Sequence, residues 1–149
     1  MSKMATTFLS ISLIAFTMML SACGETKYAD VSTLPSYREL IGATYTVIGP
    51  VNAYGIQKHS NAALDYVTLI PPPGIEGSEI GFQVPIAAGS ILTVISVYQT
   101  NRFFDSSITF GVKLTGSDRL GNLPIRIDLM RGNQGAEKHS LSPKIYRKN

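Results

Sequence analysis

The sequence predicts an all-β protein that folds as a small antiparallel barrel or a compact sandwich of about six strands. Five segments between residues 66 and 130 alternate apolar with polar residues or are rich in β-branched residues, which is typical of strands. Turn residues separate these segments, in a chain that contains 13 Gly and 8 Pro. No apolar pattern with helical spacing and ordinary helix length follows the amino-terminal leader.

The first 22 residues are predicted to be a cleaved signal helix. Lys3 gives the amino-terminal region a positive charge, and residues 8–20 are apolar apart from a few hydroxyl side chains. An apolar run of this length is typical of a signal peptide and is shorter than the roughly 20 residues that a membrane-spanning helix needs. We therefore exclude residues 1–22 from the folded domain.

The leader ends in Leu20-Ser21-Ala22-Cys23, which contains the one cysteine of the chain. This tetrapeptide resembles the bacterial lipobox. The resemblance implies that Cys23 receives a diacylglycerol thioether, that cleavage precedes it, and that its new amino group is acylated. Two or more acyl chains anchor a protein stably, so a membrane is the first expected partner. The alternative for Cys23 is an inert, buried thiol.

Gly24 stands where Asp would favour inner-membrane retention in enteric-type bacteria. The resemblance therefore implies an outer-membrane lipoprotein that faces the periplasm, or an outward-facing protein of the cell membrane in a host with one membrane. An acylated Cys23 leaves no thiol for a disulfide, so packing alone must stabilise the domain.

The charge balance excludes one class of partner. The chain has 13 basic and 10 acidic residues, a net charge of +3, and removal of Lys3 lowers it by one. Nucleic-acid binding normally requires a strongly basic surface, so no nucleic acid is expected as a partner.

The first elements after the leader are weakly marked. Residues 23–36 lack a sustained period and are expected to form a lipidated tether. The predicted domain, residues 37–132, begins with a strand or helical turn at 37–41 and a strand at 45–48. Residues 51–64, with Gly55 and two Asn, are interpreted as a loop, with one helical turn near residues 61–65.

The five strongest strand patterns come next. Residues 91–98 are almost continuously apolar or β-branched, which favours a central strand buried on both faces. The other patterns alternate with a period of two. They occupy residues 66–70, 79–84, 108–114 and 125–130.

Beyond Gly132 the period is lost, and residues 133–149 are interpreted as a basic carboxy-terminal tail. It has one acidic residue, Glu137, among several basic ones. Such a tail is suited to contact anionic lipid head groups or wall polymers; a solvated segment is the alternative.

A second resemblance concerns the order of the strands. The loop from Pro71 to Gly77 precedes a short strand, and residues 85–94 then match a turn of the pattern small-Gly-Ser/Thr-apolar-x-Val. This order resembles bacterial SH3-type barrels and implies an SH3-like fold. Those domains often carry a Trp, whereas this chain has none.

The sequence predicts no enzyme, no cofactor and no metal site. Both histidines, His59 and His139, lie in polar stretches outside any nucleophile motif and are interpreted as solvated. Two histidines without a free cysteine are a poor zinc-ligand set. Glu76 and Glu79 are interpreted as solvated turn residues.

Two loops are candidate partner-binding surfaces. Arg102, Phe103 and Phe104 lie between two predicted strands, and aromatic and Arg side chains often anchor protein interfaces. The alternative is that the rings cap the core. Pro72 and Pro73 form a stiff second surface, for which a rigid crossover is the alternative.

These predictions favour a lipid-anchored, non-catalytic binding module of the cell envelope that contacts another envelope protein or peptidoglycan. The alternative is a periplasmic inhibitor or immunity protein that occludes a lysozyme-like or other toxic hydrolase. In that case one of the two loops would insert into the cleft of the target.

Overall fold

The computed structural model describes residues 27–101, 107–116 and 120–149. These residues confirm the predicted all-β class. They contain nine strands in one sheet, one four-residue helix and two short 3-10 turns. No helix among them is sufficiently long and apolar to cross a membrane.

The elements follow one another in the order of the chain. The helix α1 is Pro35–Arg38, and the 3-10 turns are Arg131–Asn133 and Glu137–His139. The strands are β1 Tyr28–Asp30, β2 Thr44–Val47, β3 Asn52–Gln57, β4 Leu64–Ile70, β5 Ile80–Pro85, β6 Ile91–Thr100, β7 Ile108–Leu114, β8 Ile125–Asp128 and β9 Tyr146–Lys148.

The strands form a sheet in the order β5-β3-β4-β8-β7-β6-β2-β9. Strand β1 is not on this path and pairs with residues 98–100, at the end of β6. The sheet curls into a half-barrel around the core. Its pairs are antiparallel except for β4 and β8, which run parallel with Val67 opposite Ile125. This parallel pair brings the fourth and eighth strands side by side, although about 55 residues separate them in the chain.

The alternating apolar residues of the predicted strands face the core, as expected. Those of β4, β7 and β8 lie on the same side of the sheet and are almost inaccessible to solvent: Val67, Leu69, Ile108, Phe110, Val112, Ile125 and Ile127. Since each strand has a period of two, the intervening residues must lie on the opposite face.

Strand β6 differs from the prediction that both its faces are buried. Leu92, Val94 and Val97 are buried, but Ile91 and Ile95 remain 42% and 56% exposed. The pairing register with β7 shifts between Val94 and Ser96, so Ile95 is the extra residue of a β-bulge and faces solvent.

The prediction of a loop at residues 51–64 is wrong for residues 52–57, which form β3, and is confirmed for residues 58–63, which lie outside any strand. Strand β3 lies between β4 and β5 and pairs with both. Its glycine, Gly55, lies beneath the Phe82 ring, where a side chain would overlap the ring. Gly55 weakens the strand pattern of this segment in the sequence. In the fold, the Phe82 ring of β5 fills the space that a side chain at position 55 would occupy.

The predicted tether 23–36 is too long. Tyr28–Asp30 pairs with β6, Val31 is buried, and α1 begins at Pro35. The helical turn followed by a strand, one of the two predictions for residues 37–48, corresponds to α1 and β2, with α1 beginning two residues earlier.

The segment 133–149 is not a tail beyond the domain. Strand β9 pairs with β2, and Gln134, Leu141 and Tyr146 are buried. These buried residues are widely spaced along the segment, so they produce no periodic pattern in the sequence. Each of them is nevertheless packed in the interior of the domain.

Candidate binding site

The face of the sheet opposite the core carries a cluster of polar and aromatic side chains. The pairing places Thr68 opposite Arg126, and it places Tyr98, Thr109 and Asp128 in one row across three strands. These residues come from four neighbouring strands, β4, β8, β7 and β6. A single surface is thus built from residues that are far apart in the sequence.

Arg126 lies at the centre of this surface among three tyrosine rings. Its Cζ atom is 4.4 Å from the ring centroid of Tyr66, 4.6 Å from that of Tyr28 and 6.0 Å from that of Tyr98. The Tyr28 and Tyr98 rings meet edge to face, with centroids 6.4 Å apart. We call these four residues the Tyr–Arg cluster; all four are half-buried. Cation–π attraction holds such a guanidinium in place while leaving its edge free to donate hydrogen bonds.

Gly111 makes room for the cluster on β7. It lies opposite Arg126, and a Cβ atom there would overlap the Ser96 hydroxyl and approach the Tyr98 ring to 3.2 Å. Beside it lies an open groove of about 530 Å³, bordered by Ile95, Lys113 and Arg126. The absence of a side chain at position 111 therefore opens the surface at the point where the groove meets the cluster.

A second, smaller cavity of about 50 Å³ lies on the other side of Arg126. The residues that surround it are mostly polar. They are Tyr28, Tyr66, Thr68, Thr109, Arg126, Asp128 and Arg131. Thr109 is only 2% exposed, and its Oγ1 atom has no hydrogen-bond partner among the described residues.

The charges around this small cavity are not paired with one another. Neither Arg126 nor Arg131 forms an ion pair with a carboxylate in the described part of the chain. The Asp128 carboxylate instead accepts a hydrogen bond from the Met130 backbone N–H at 3.0 Å. Burial and the neighbouring Tyr28 raise the pKa of Tyr66, although Arg126 and Arg131 act in the opposite direction. The Tyr66 hydroxyl therefore stays protonated at neutral pH.

Four residues predicted to be functional, Cys23, Arg102, Phe103 and Phe104, lie outside the described residues. Pro72 and Pro73 are exposed after the buried Pro71, but they border neither the groove nor the small cavity.

The four residues that were predicted to be solvated are exposed: His59, His139, Glu76 and Glu79. The described residues contain no group of three or more His, Cys, Asp or Glu side chains placed to hold a metal ion.

Sequence reasoning missed the Tyr–Arg cluster, although part of its signal was present. Tyr66 and Arg126 occupy the non-core positions of alternating strands, and Tyr98 ends the apolar run of β6. An aromatic residue at such a position is a sign of a functional face, because it is not needed in the core. The sequence did not show that these strands are neighbours, nor that β1 adds Tyr28.

Comparison with known proteins adds no relative: no protein-family model, no curated protein and no solved structure matches the chain. The lipobox and SH3-type resemblances therefore stay predictions, and function has to be argued from the residues of the surface.

Proposed function

We propose that this protein is a lipid-anchored binding module of the cell envelope, which contacts another envelope protein or peptidoglycan through the Tyr–Arg cluster and carries out no reaction. The observation behind this proposal is the placement of Arg126 within 6.0 Å of three tyrosine rings on the solvent side of the sheet. The core lies on the other face, so its packing does not require this cluster.

The chemistry of the cluster favours recognition. Tyrosine and arginine dominate the energetics of protein interfaces, because each combines a large apolar area with hydrogen-bond donors. Flat rings also stack against the apolar faces of sugars and of peptide groups. Arg126 is already held by the rings, so little side-chain entropy remains to be lost when a partner binds.

The proposed membrane attachment rests on the lipobox. Since β1 begins at Tyr28, only four residues lie between Cys23 and a residue of the cluster. The five residue steps from Cys23 to Tyr28 span at most about 17 Å when fully extended. The anchor would therefore hold the Tyr28 edge of the binding surface close to the membrane, where it would meet membrane-proximal components of the envelope.

The test compares three forms of the full-length chain produced in a bacterial host: wild type, Arg126→Gln and the control Arg147→Gln. Arg147 is exposed and lies on β9, so its substitution removes the same charge outside the cluster. Purified peptidoglycan is sedimented with each form. In parallel, a photo-reactive amino acid at position 113, which is exposed and borders the groove outside the cluster, captures neighbours in intact cells.

We expect wild type and Arg147→Gln to bind one of the two classes of partner saturably. Arg126→Gln should bind about 10-fold more weakly, which corresponds to about 1.4 kcal/mol for an interface anchor. Thermal unfolding shows whether each variant is folded. The proposal is wrong if wild type neither sediments nor cross-links saturably, or if a folded Arg126→Gln variant binds as wild type does.

A further inference from the structure

We infer that the cavity of about 50 Å³ between Thr109, Arg126 and Arg131 binds a carboxylate group of the ligand. This inference rests on the proposed function and adds the chemical group by which the partner is recognised. The rest of the ligand would lie across Tyr98 in the larger groove, since Arg126 borders both spaces.

Hydrogen-bond donors without described acceptors favour an anionic ligand in this cavity. The Thr109 hydroxyl is 2% exposed yet has no partner in the described part of the chain, although buried hydroxyls are normally paired. Two guanidinium groups border the same cavity, and neither pairs with a described carboxylate. An oxyanion would accept from all three side chains at once.

The local charge favours a single negative charge. Arg126 and Arg131 contribute two positive charges, and Asp128 contributes one negative charge that already accepts from the Met130 backbone. A monoanion neutralises the remainder, whereas a dianion would leave a net negative charge around the cavity. A cation would meet two arginines and is excluded on the same grounds.

Charge also separates a carboxylate from a phosphate monoester. The planar fork of an arginine pairs with either group, so its shape does not decide between them. A phosphate monoester carries about 1.5 to 2 negative charges at neutral pH. A carboxylate carries one, which is the charge that Arg126, Arg131 and Asp128 leave unbalanced around the cavity.

The experiment uses the full-length chain in detergent, with its threonine methyl groups labelled for nuclear magnetic resonance. The probes are N-acetyl-D-alanyl-D-alanine, the same dipeptide as its carboxamide, and N-acetyl-L-aspartate amide. The first probe imitates a wall-peptide terminus and the third imitates an acidic side chain of a protein. The carboxamide keeps the shape of the first probe but has no charge.

The methyl resonance of Thr109 should shift saturably with at least one carboxylate probe and not with the carboxamide. Arg131→Gln should weaken that binding at least 5-fold. Thr109→Val should do the same, with binding followed on the methyl resonance of Thr68, which borders the same cavity. Thr93→Val, on the neighbouring strand β6 and outside the cavity, should leave it unchanged. Which carboxylate binds more tightly identifies the source of the group.

The inference is overturned if the carboxamide shifts Thr109 as strongly as the acid, if no probe shifts it, or if both cavity variants bind like wild type. Arg131 is exposed, so Arg131→Gln remains informative even if Thr109→Val fails to fold. Loss of the carboxylate effect with retained Arg126-dependent capture would reject this inference alone. Loss of capture with a retained carboxylate effect would reject the proposed function alone.

Discussion

At the scale of single residues, Gln134 fixes the carboxy-terminal segment to the sheet. Its side chain is fully buried, and Nε2 donates to the carbonyl oxygens of Leu69 at 2.8 Å and Arg131 at 3.1 Å. Its Oε1 atom accepts from the Tyr146 hydroxyl. A buried amide that satisfies partners in three segments specifies one arrangement of those segments, because any other leaves buried polar groups unpaired.

The Tyr146→Phe substitution tests this network. It leaves Gln134 Oε1 buried without a donor, so the free energy of unfolding should fall by about 1–3 kcal/mol, measured by chemical denaturation. Tyr37→Phe is the control, since Tyr37 is a half-buried tyrosine outside the network. Equal denaturation midpoints for Tyr146→Phe and wild type would show that the hydrogen bond contributes nothing.

The same tyrosine predicts how stability depends on pH. Burial raises the pKa of Tyr146 and also that of Tyr45. The folded state then holds these protons more tightly than the unfolded state, in which the tyrosine pKa is about 10. Stability is complete below that value and falls as the pH rises above it. Denaturation midpoints measured from about pH 8 to about pH 12 should decline in wild type and decline less steeply in Tyr146→Phe.

At the scale of elements, the packing of β3 against β5 places Gly55 directly beneath the Phe82 ring. Gly55→Ala would place a methyl group against the Phe82 ring, with Leu64 also only 3.0 Å away. We expect a loss of about 1–3 kcal/mol in the free energy of unfolding, which is typical of overpacking. In a Phe82→Ala background the same substitution should cost less, and a double-mutant cycle measures the difference. Equal costs in both backgrounds would show that the ring is not the obstacle.

Strand β9 is expected to be essential for folding. Removal of residues 143–149 would leave β2 without its second partner and would remove the Tyr146 ring from the core. The truncated chain should lose its cooperative unfolding transition, monitored by circular dichroism. Arg147→Ala, which keeps the strand, is the control. A truncated chain that still unfolds cooperatively at the wild-type midpoint would restore the interpretation of this segment as a tail.

At the scale of the whole molecule, the lipobox prediction decides where the domain works. Cys23→Ser removes the thiol that lipidation requires, so the variant should keep its leader and lack fatty acyl groups. Mass spectrometry and membrane fractionation measure both effects, with Ser21→Ala as a control that keeps the cysteine. An acylated or normally processed Cys23→Ser protein would contradict the prediction.

The strands with a regular pattern were predictable because their side chains themselves report burial. In β4, β7 and β8 the apolar residues alternate, and the structure places those residues in the core. Strands β1, β3 and β9 were missed because they are short or carry glycine and charge. They are held by partners that are distant in sequence, such as Phe82 above Gly55 and β2 beside β9.

The candidate site was only partly contained in the sequence. The positions of Tyr66 and Arg126 on the non-core side of their strands followed from the period of two. The position of Tyr98 did not, because the β-bulge at Ile95 shifts the alternation of β6. That these residues meet was decided by the parallel pairing of β4 with β8 and by the addition of β1 to β6. Alternation is a local property of an extended chain, so the sequence determines which side chains share a face. The order of strands depends on the free energy of the whole packed sheet, so only the tertiary structure decided which faces combine into a site.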